Sequence, residues 1–165
     1  MSVRKIVFLS MMVSISIVLS IVESTFATLI FAFPGIKLGL ANIATLVVVF
    51  TMGRKEGSIV AILRIFLVGL IYSGLFTPAF WISLGGGLFA LTTILTLKSS
   101  KLSIYTVSVL AALMHMVGQI IIVIFLVKTS SLIYYLPYMM IISVPAGLIT
   151  GYLANKIIHY SRFFN

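Results

Sequence analysis

From Leu102 to Val127 the chain runs 26 residues without a charged side chain. At about 1.5 Å of rise per residue, a helix of that length exceeds the roughly 30 Å hydrocarbon core of a bilayer. The pattern repeats along the chain. Uncharged runs cover Ile6–Val22 (17 residues), Ser24–Ile36 (13), Leu38–Gly53 (16) and Thr129–Asn155 (27), and from Gly57 to Leu97 only Arg64 intervenes. Charged residues make up 8% of the sequence, against about a quarter in a soluble domain. A chain of this kind is an all-α integral membrane protein.

The runs predict six transmembrane helices in one bundle over 1–165, near 5–22, 38–53, 57–75, 78–97, 102–127 and 132–158. Residues 24–36 are too few to cross as a helix, so this segment is expected to be re-entrant or interfacial. Thr77-Pro78 reads as an N-cap followed by proline at the first helical position. A basic start before an apolar run also describes a signal peptide. No A-x-A-like site follows Val22, and further spans come after it, so a retained first helix is expected.

The net charge of +9 is mostly a topology signal. With the N-terminus inside, the inner ends carry Arg4, Lys5, Arg54, Lys55, Lys98, Lys101, Lys156 and Arg162, and the outer ends only Lys37 and Lys128. The positive-inside rule then places both termini in the cytoplasm and removes the reason to expect nucleic acid. Tyr72, Trp81, Tyr134, Tyr135 and Tyr138 fall near the outer face, and Tyr105, Tyr152 and Tyr160 near the inner, as aromatic belts do.

Much catalytic chemistry is ruled out by missing residue types. There is no Cys and no Asp, and Glu23 and Glu56 are the only carboxylate side chains. No G-x-x-x-x-G-K-[ST] or H-E-x-x-H occurs, and His115 and His159 are 44 positions apart. Carboxylates that could hold magnesium on a diphosphate are lacking, and a catalytic triad has no acid apart from Glu23. Neither enzymatic activity nor a metal or cofactor is expected of the chain itself.

Polar groups in hydrocarbon are expensive and usually face a bundle interior or a cavity. Glu23, Lys37, Asn42, Arg64, His115 and Gln119 are such groups. His115 and Gln119 share a helix face, because residues four apart align. Most of the set falls in the outer half of the membrane, where a site loaded from outside belongs. Plainer roles exist for each: Glu23 and Lys37 as interfacial anchors, Arg64 snorkelling inward, His115 with Gln119 as an interhelical hydrogen-bond pair. Their company favours a small polar cavity walled by the segment before "GIKLGLAN" (Gly35–Asn42). In that reading Lys37 and Arg64 meet an acidic group of a substrate, and Glu23 orients Lys37 or accepts a hydrogen bond. Asn42, His115 and Gln119 bond the polar part, and Tyr72 and Trp81 cover an apolar part.

Small residues form a second pattern. Ser143, Gly147 and Gly151 repeat every four residues, as do Ser10 with Ser14, spacings that let helices approach closely. The triple glycine of "SLGGGLFA" (Ser83–Ala90) reads as close packing or as a hinge.

The segments "VESTFATLIFAFPGIKLGLANIATLVVVFTMG", "AILRIFLVGLIYSG", "HMVGQ" and "YYLPYMMIISVPAGLITGYLAN" together resemble the Gx transporter family, labelled heptaprenyl diphosphate synthase component I. That family in turn resembles the S components of energy-coupling factor transporters. The resemblance implies a six-helix subunit in the bacterial cytoplasmic membrane that captures a vitamin or similar molecule from outside. Its partners would be a transmembrane T component and two cytoplasmic ABC-type ATPases. Ser10 and Ser14 stand where S components often carry an Ala-x-x-x-Ala contact with the T component. The older label implies instead an accessory membrane subunit of isoprenoid or quinone biosynthesis. A structural subunit of a membrane redox complex is a third, weaker option.

Overall fold

A computed structural model describes residues 3–30 and 37–161. The described residues are helical with short connections: α1 (Val3–Ile30), α2 (Asn42–Thr51), α3 (Arg54–Val68), α4 (Pro78–Leu97), α5 (Ile104–Val127) and α6 (Leu136–Ser161). A π-helical turn, Gly69–Ser73, continues α3, and a 3-10 turn, Ser130–Tyr135, leads into α6. Five helical segments are long and apolar enough to cross a membrane, and α2, at 10 residues, is apolar but shorter.

Local chemistry sets several boundaries. Thr77 accepts a hydrogen bond from Phe80 N at 3.3 Å with Pro78 at the first helical position, so α4 starts where the sequence predicts. Ser103 caps α5 by accepting from Thr106 N at 3.2 Å, and α5 stops at Lys128 in a left-handed conformation. Pro145 lies inside α6, as expected.

Two expected boundaries need correction, for one reason. The charge of Glu23 suggested that the first helix ends at residue 22, yet α1 continues to Ile30. Residues 24–30 are therefore helical; 31–36, the remainder of the expected re-entrant segment, lie outside the described residues, as does Arg162. Glu23 does not end the helix because its carboxylate is buried and bonded inside the bundle. The second helix was expected from residue 38 but begins at Asn42. Residues 37–41 are held away from helix geometry by the same carboxylate and by Gly39, whose φ of +90 suits glycine. At the other helix ends the differences are smaller: α3 starts at Arg54, and α6 at Leu136 after its 3-10 turn.

Three contacts gather one end of the bundle. Lys5 Nζ meets Glu56 Oε1 at 2.6 Å, Arg54 Nη2 donates to Ser99 Oγ at 2.6 Å, and Asn155 Nδ2 donates to Tyr105 OH at 3.1 Å. The starts of α1, α3 and α5 thus lie with the ends of α4 and α6.

The core has two apolar parts. One joins Met12, Ile43–Val49 of α2, Val60, Ala90, Ile94, Val107 and Ala111. The other joins Ala27, Ile82, Met116, Ile120, Val123 and Met139. On α1, Glu23 falls between Met12 and Ala27; on α4, Gly85–Gly87 fall between Ile82 and Ala90; on α5, His115 stands at the changeover. A polar layer divides the core at this level.

The triple glycine is a packing device, and α4 runs through it unbroken. A Cβ on Gly85 would lie 2.9 Å from Gly118 O of α5, one on Gly86 2.8 Å from His115 Cε1, and one on Gly87 2.6 Å from Ile65 Cδ1 of α3. Gly85 lets the α4 and α5 backbones approach at the depth of the polar layer, and Gly86 and Gly87 leave room for the side chains of His115 and Ile65.

Candidate functional site

Glu23 organises the layer. Its carboxylate accepts hydrogen bonds from the backbone N–H groups of Gly39, of Leu40 at 3.2 Å and of Ala41 at 3.4 Å. Ala41 is the N-cap of α2 and has no side chain able to cap. A carboxylate from α1 therefore caps α2, satisfying amides that would otherwise be orphaned in an apolar interior. It also fixes the course of residues 37–41.

Two further bonds tie the layer together. Arg64 Nη2 of α3 donates to Asn42 Oδ1 of α2 at 3.0 Å. Lys37 N donates to Gln119 Oε1 of α5 at 3.3 Å. Because an arginine and a backbone N–H can only donate, the carbonyl oxygens of both amides must point at these partners. The NH₂ groups of Asn42 and Gln119 then point elsewhere, and both lack a hydrogen-bond partner. Both ring nitrogens of His115 and the hydroxyls of Ser83 and Thr45 also lack one. Buried polar atoms without partners are uncommon in folded proteins, and a cluster of them calls for an occupant.

Two of these residues, Ser83 and His115, face one cavity. It is lined by Ser20, Glu23, Lys37, Gly39, Ala41, Arg64, Ile65, Val68, Ser73, Phe80, Ser83 and His115. Its volume is about 20 Å³, room for one or two water molecules. Asn42 and Gln119 stand behind this lining, bonded to Arg64 and Lys37. Lys37 and Arg64 are buried, at 7% and 4% exposure, so neither reaches for a headgroup region. Neither makes a salt bridge: among the described residues the one pair is Lys5 with Glu56. Lys37 lies in the connection between α1 and α2.

Six of the sequence-derived candidates thus converge: Glu23, Lys37, Asn42, Arg64, His115 and Gln119. Tyr72 and Trp81 do not line the cavity and are exposed at 49% and 40%. Their chain neighbours Ser73 and Phe80 do line it. Trp81 stacks edge-on against Phe80, ring centroids 5.6 Å apart, and so buttresses the wall from outside. Ser10 and Ser14 lie on the exposed face of α1, with Ser14 Oγ donating to Ser10 O at 2.9 Å. Sequence reasoning passed over Ser83, Phe80, Ile65 and Val68, since an apolar or hydroxyl residue in an apolar helix carries no signal of which face it takes.

Long apolar helices around a buried polar cavity define a multi-pass helical membrane protein with an internal polar site. The chain belongs to the family described as heptaprenyl diphosphate synthase component I, whose model matches residues 12–157. No curated protein and no solved structure matches it.

Proposed function

We propose that the chain is the membrane-embedded substrate-binding subunit of an energy-coupling factor type importer, for a small anionic vitamin- or precursor-like molecule. The observation that carries this reading is the buried cavity lined by two cations that make no salt bridge among the described residues, with the unpartnered side chains of Ser83 and His115 beside them. In the proposed arrangement residues 37–41 and α2 together make the sixth crossing. Both termini face the cytoplasm, in the bacterial cytoplasmic membrane. The chain catalyses nothing itself; a T component and two ABC-type ATPases supply the work. The absence of a Walker motif from the sequence fits that division of labour.

The family description favours a second reading, an accessory membrane subunit of isoprenoid or quinone biosynthesis. Co-expression of the full chain with the T component and ATPases of the same cell, and separately with its prenyl synthase, distinguishes the two. Transport predicts coelution with the former, lost when Ser10 and Ser14 on the exposed face of α1 are both replaced by Leu. Coelution with the synthase alone favours the accessory role. Substrate movement by the purified chain alone in liposomes refutes the dependence on partners.

A further inference from the structure

Hydrogen-bonding capacity in the polar layer is lopsided. Both Glu23 oxygens are occupied by backbone N–H groups, Asn42 Oδ1 by Arg64, and Gln119 Oε1 by Lys37 N. Every carboxylate and amide oxygen of the six residues has an internal donor. What remains facing the cavity is the Lys37 ammonium and the rest of the Arg64 guanidinium, which only donate, while the NH₂ groups of Asn42 and Gln119 stand behind the lining. Ser83 and His115 can donate or accept. The unpartnered charged groups at the cavity are all donors, and a ligand that supplies acceptors fits them.

Charge narrows it further. Two cationic side chains, Lys37 and Arg64, and one carboxylate, Glu23, line the cavity, a formal excess of one positive charge. Uncompensated charge in a membrane interior is costly, so the fitting ligand brings one negative charge. A phosphate monoester carries about −1.5 to −2 near neutral pH and overshoots; a diphosphate overshoots further.

We infer that the cavity takes a monocarboxylate headgroup, held between Lys37 and Arg64, with the ligand's apolar part against Ile65, Val68 and Phe80. This rests on the substrate-binding reading and separates it from one built on a prenyl diphosphate. A larger ligand body requires the wall to open beside the headgroup, and the π-helical turn Gly69–Ser73, which contributes Ser73 to the lining, ends at Gly74 with a φ of 79.

The test uses the full chain in lipid nanodiscs, with its sole tryptophan, Trp81, as the reporter against Phe80. Sodium acetate, methyl phosphate and methylammonium are titrated at constant ionic strength, reading Trp81 fluorescence and melting temperature. Acetate should bind saturably and roughly tenfold more tightly than methyl phosphate, with methylammonium inert. Glu23→Gln, which raises the net charge to two, should reverse the order of acetate and methyl phosphate. Lys37→Gln should weaken acetate by roughly tenfold or more. Should Glu23→Gln not fold, the wild-type order and Lys37→Gln decide alone. Preference of the wild type for methyl phosphate or methylammonium, or no response to acetate, overturns the assignment. Acetate binding by a chain that never associates with a T component would sink the transport reading and leave the headgroup standing. Import of a phosphorylated compound with those partners would do the opposite.

Discussion

Removing the carboxylate of Glu23 should loosen one short stretch of backbone more than anything else in the protein. In Glu23→Ala the N–H groups of Gly39, Leu40 and Ala41 lose their acceptor in a buried setting. A buried polar group left unsatisfied costs about 1–3 kcal/mol. The Ala41 bond, at 3.4 Å, is weak, so two groups dominate and the expected loss is about 2–6 kcal/mol. Glu23→Gln keeps one oxygen in place but gives up the charge assistance, which roughly doubles such bonds, and should lose about 1–3 kcal/mol. The assay is reversible unfolding in mixed micelles together with hydrogen exchange resolved to residues 39–41. Exchange at those amides should rise by roughly tenfold for each 1.4 kcal/mol of local stability removed. Val22→Ala, on the exposed side of α1 one residue away, is the control. If Glu23→Ala melts like Val22→Ala and protection at 39–41 is unchanged, the capping role is wrong.

Two further outcomes are expected. Gly118→Ala would put a Cβ 2.5 Å from Gly85 O, a backbone atom that cannot swing aside, so α4 and α5 must separate; a loss of about 1–3 kcal/mol should appear in thermal melts. Asn42→Ala would take from Arg64 its amide acceptor in a buried setting, and should cost about 1–3 kcal/mol in the same melts.

The sequence made the bundle legible because membrane helices must be apolar over long runs, and charges interrupt those runs. That logic located α4 and α5 closely, where capping residues and flanking lysines agree with hydropathy. It failed at Glu23 for a physical reason: a charge ends a span only if it must reach water, and this one finds three amides instead. The six polar candidates were visible singly, since each is out of place in hydrocarbon. Their pairings were not. Nothing in the order of residues says that Lys37 bonds through its backbone to Gln119 while its side chain stays unpaired, or that Arg64 takes Asn42 and leaves Glu23 to α2. The apolar wall was the least legible part, because Phe80 and Trp81 are equally hydrophobic and only packing decides which faces inward.

The triple glycine bears on how a family built on this scaffold could change its ligand. Gly85, Gly86 and Gly87 each answer to a different neighbour, on α5, at His115 and on α3. A side chain at Gly85 meets the backbone of α5 at Gly118, and one at Gly86 meets the His115 ring and Gln119, so those two positions cannot drift without disturbing the polar layer or the α4–α5 contact. Ala41, Ile65, Val68 and Phe80 also line the cavity, and a change of size there alters the cavity wall directly. Diversity of ligand body should therefore collect at those four positions, around a headgroup site and a glycine wall that stay the same.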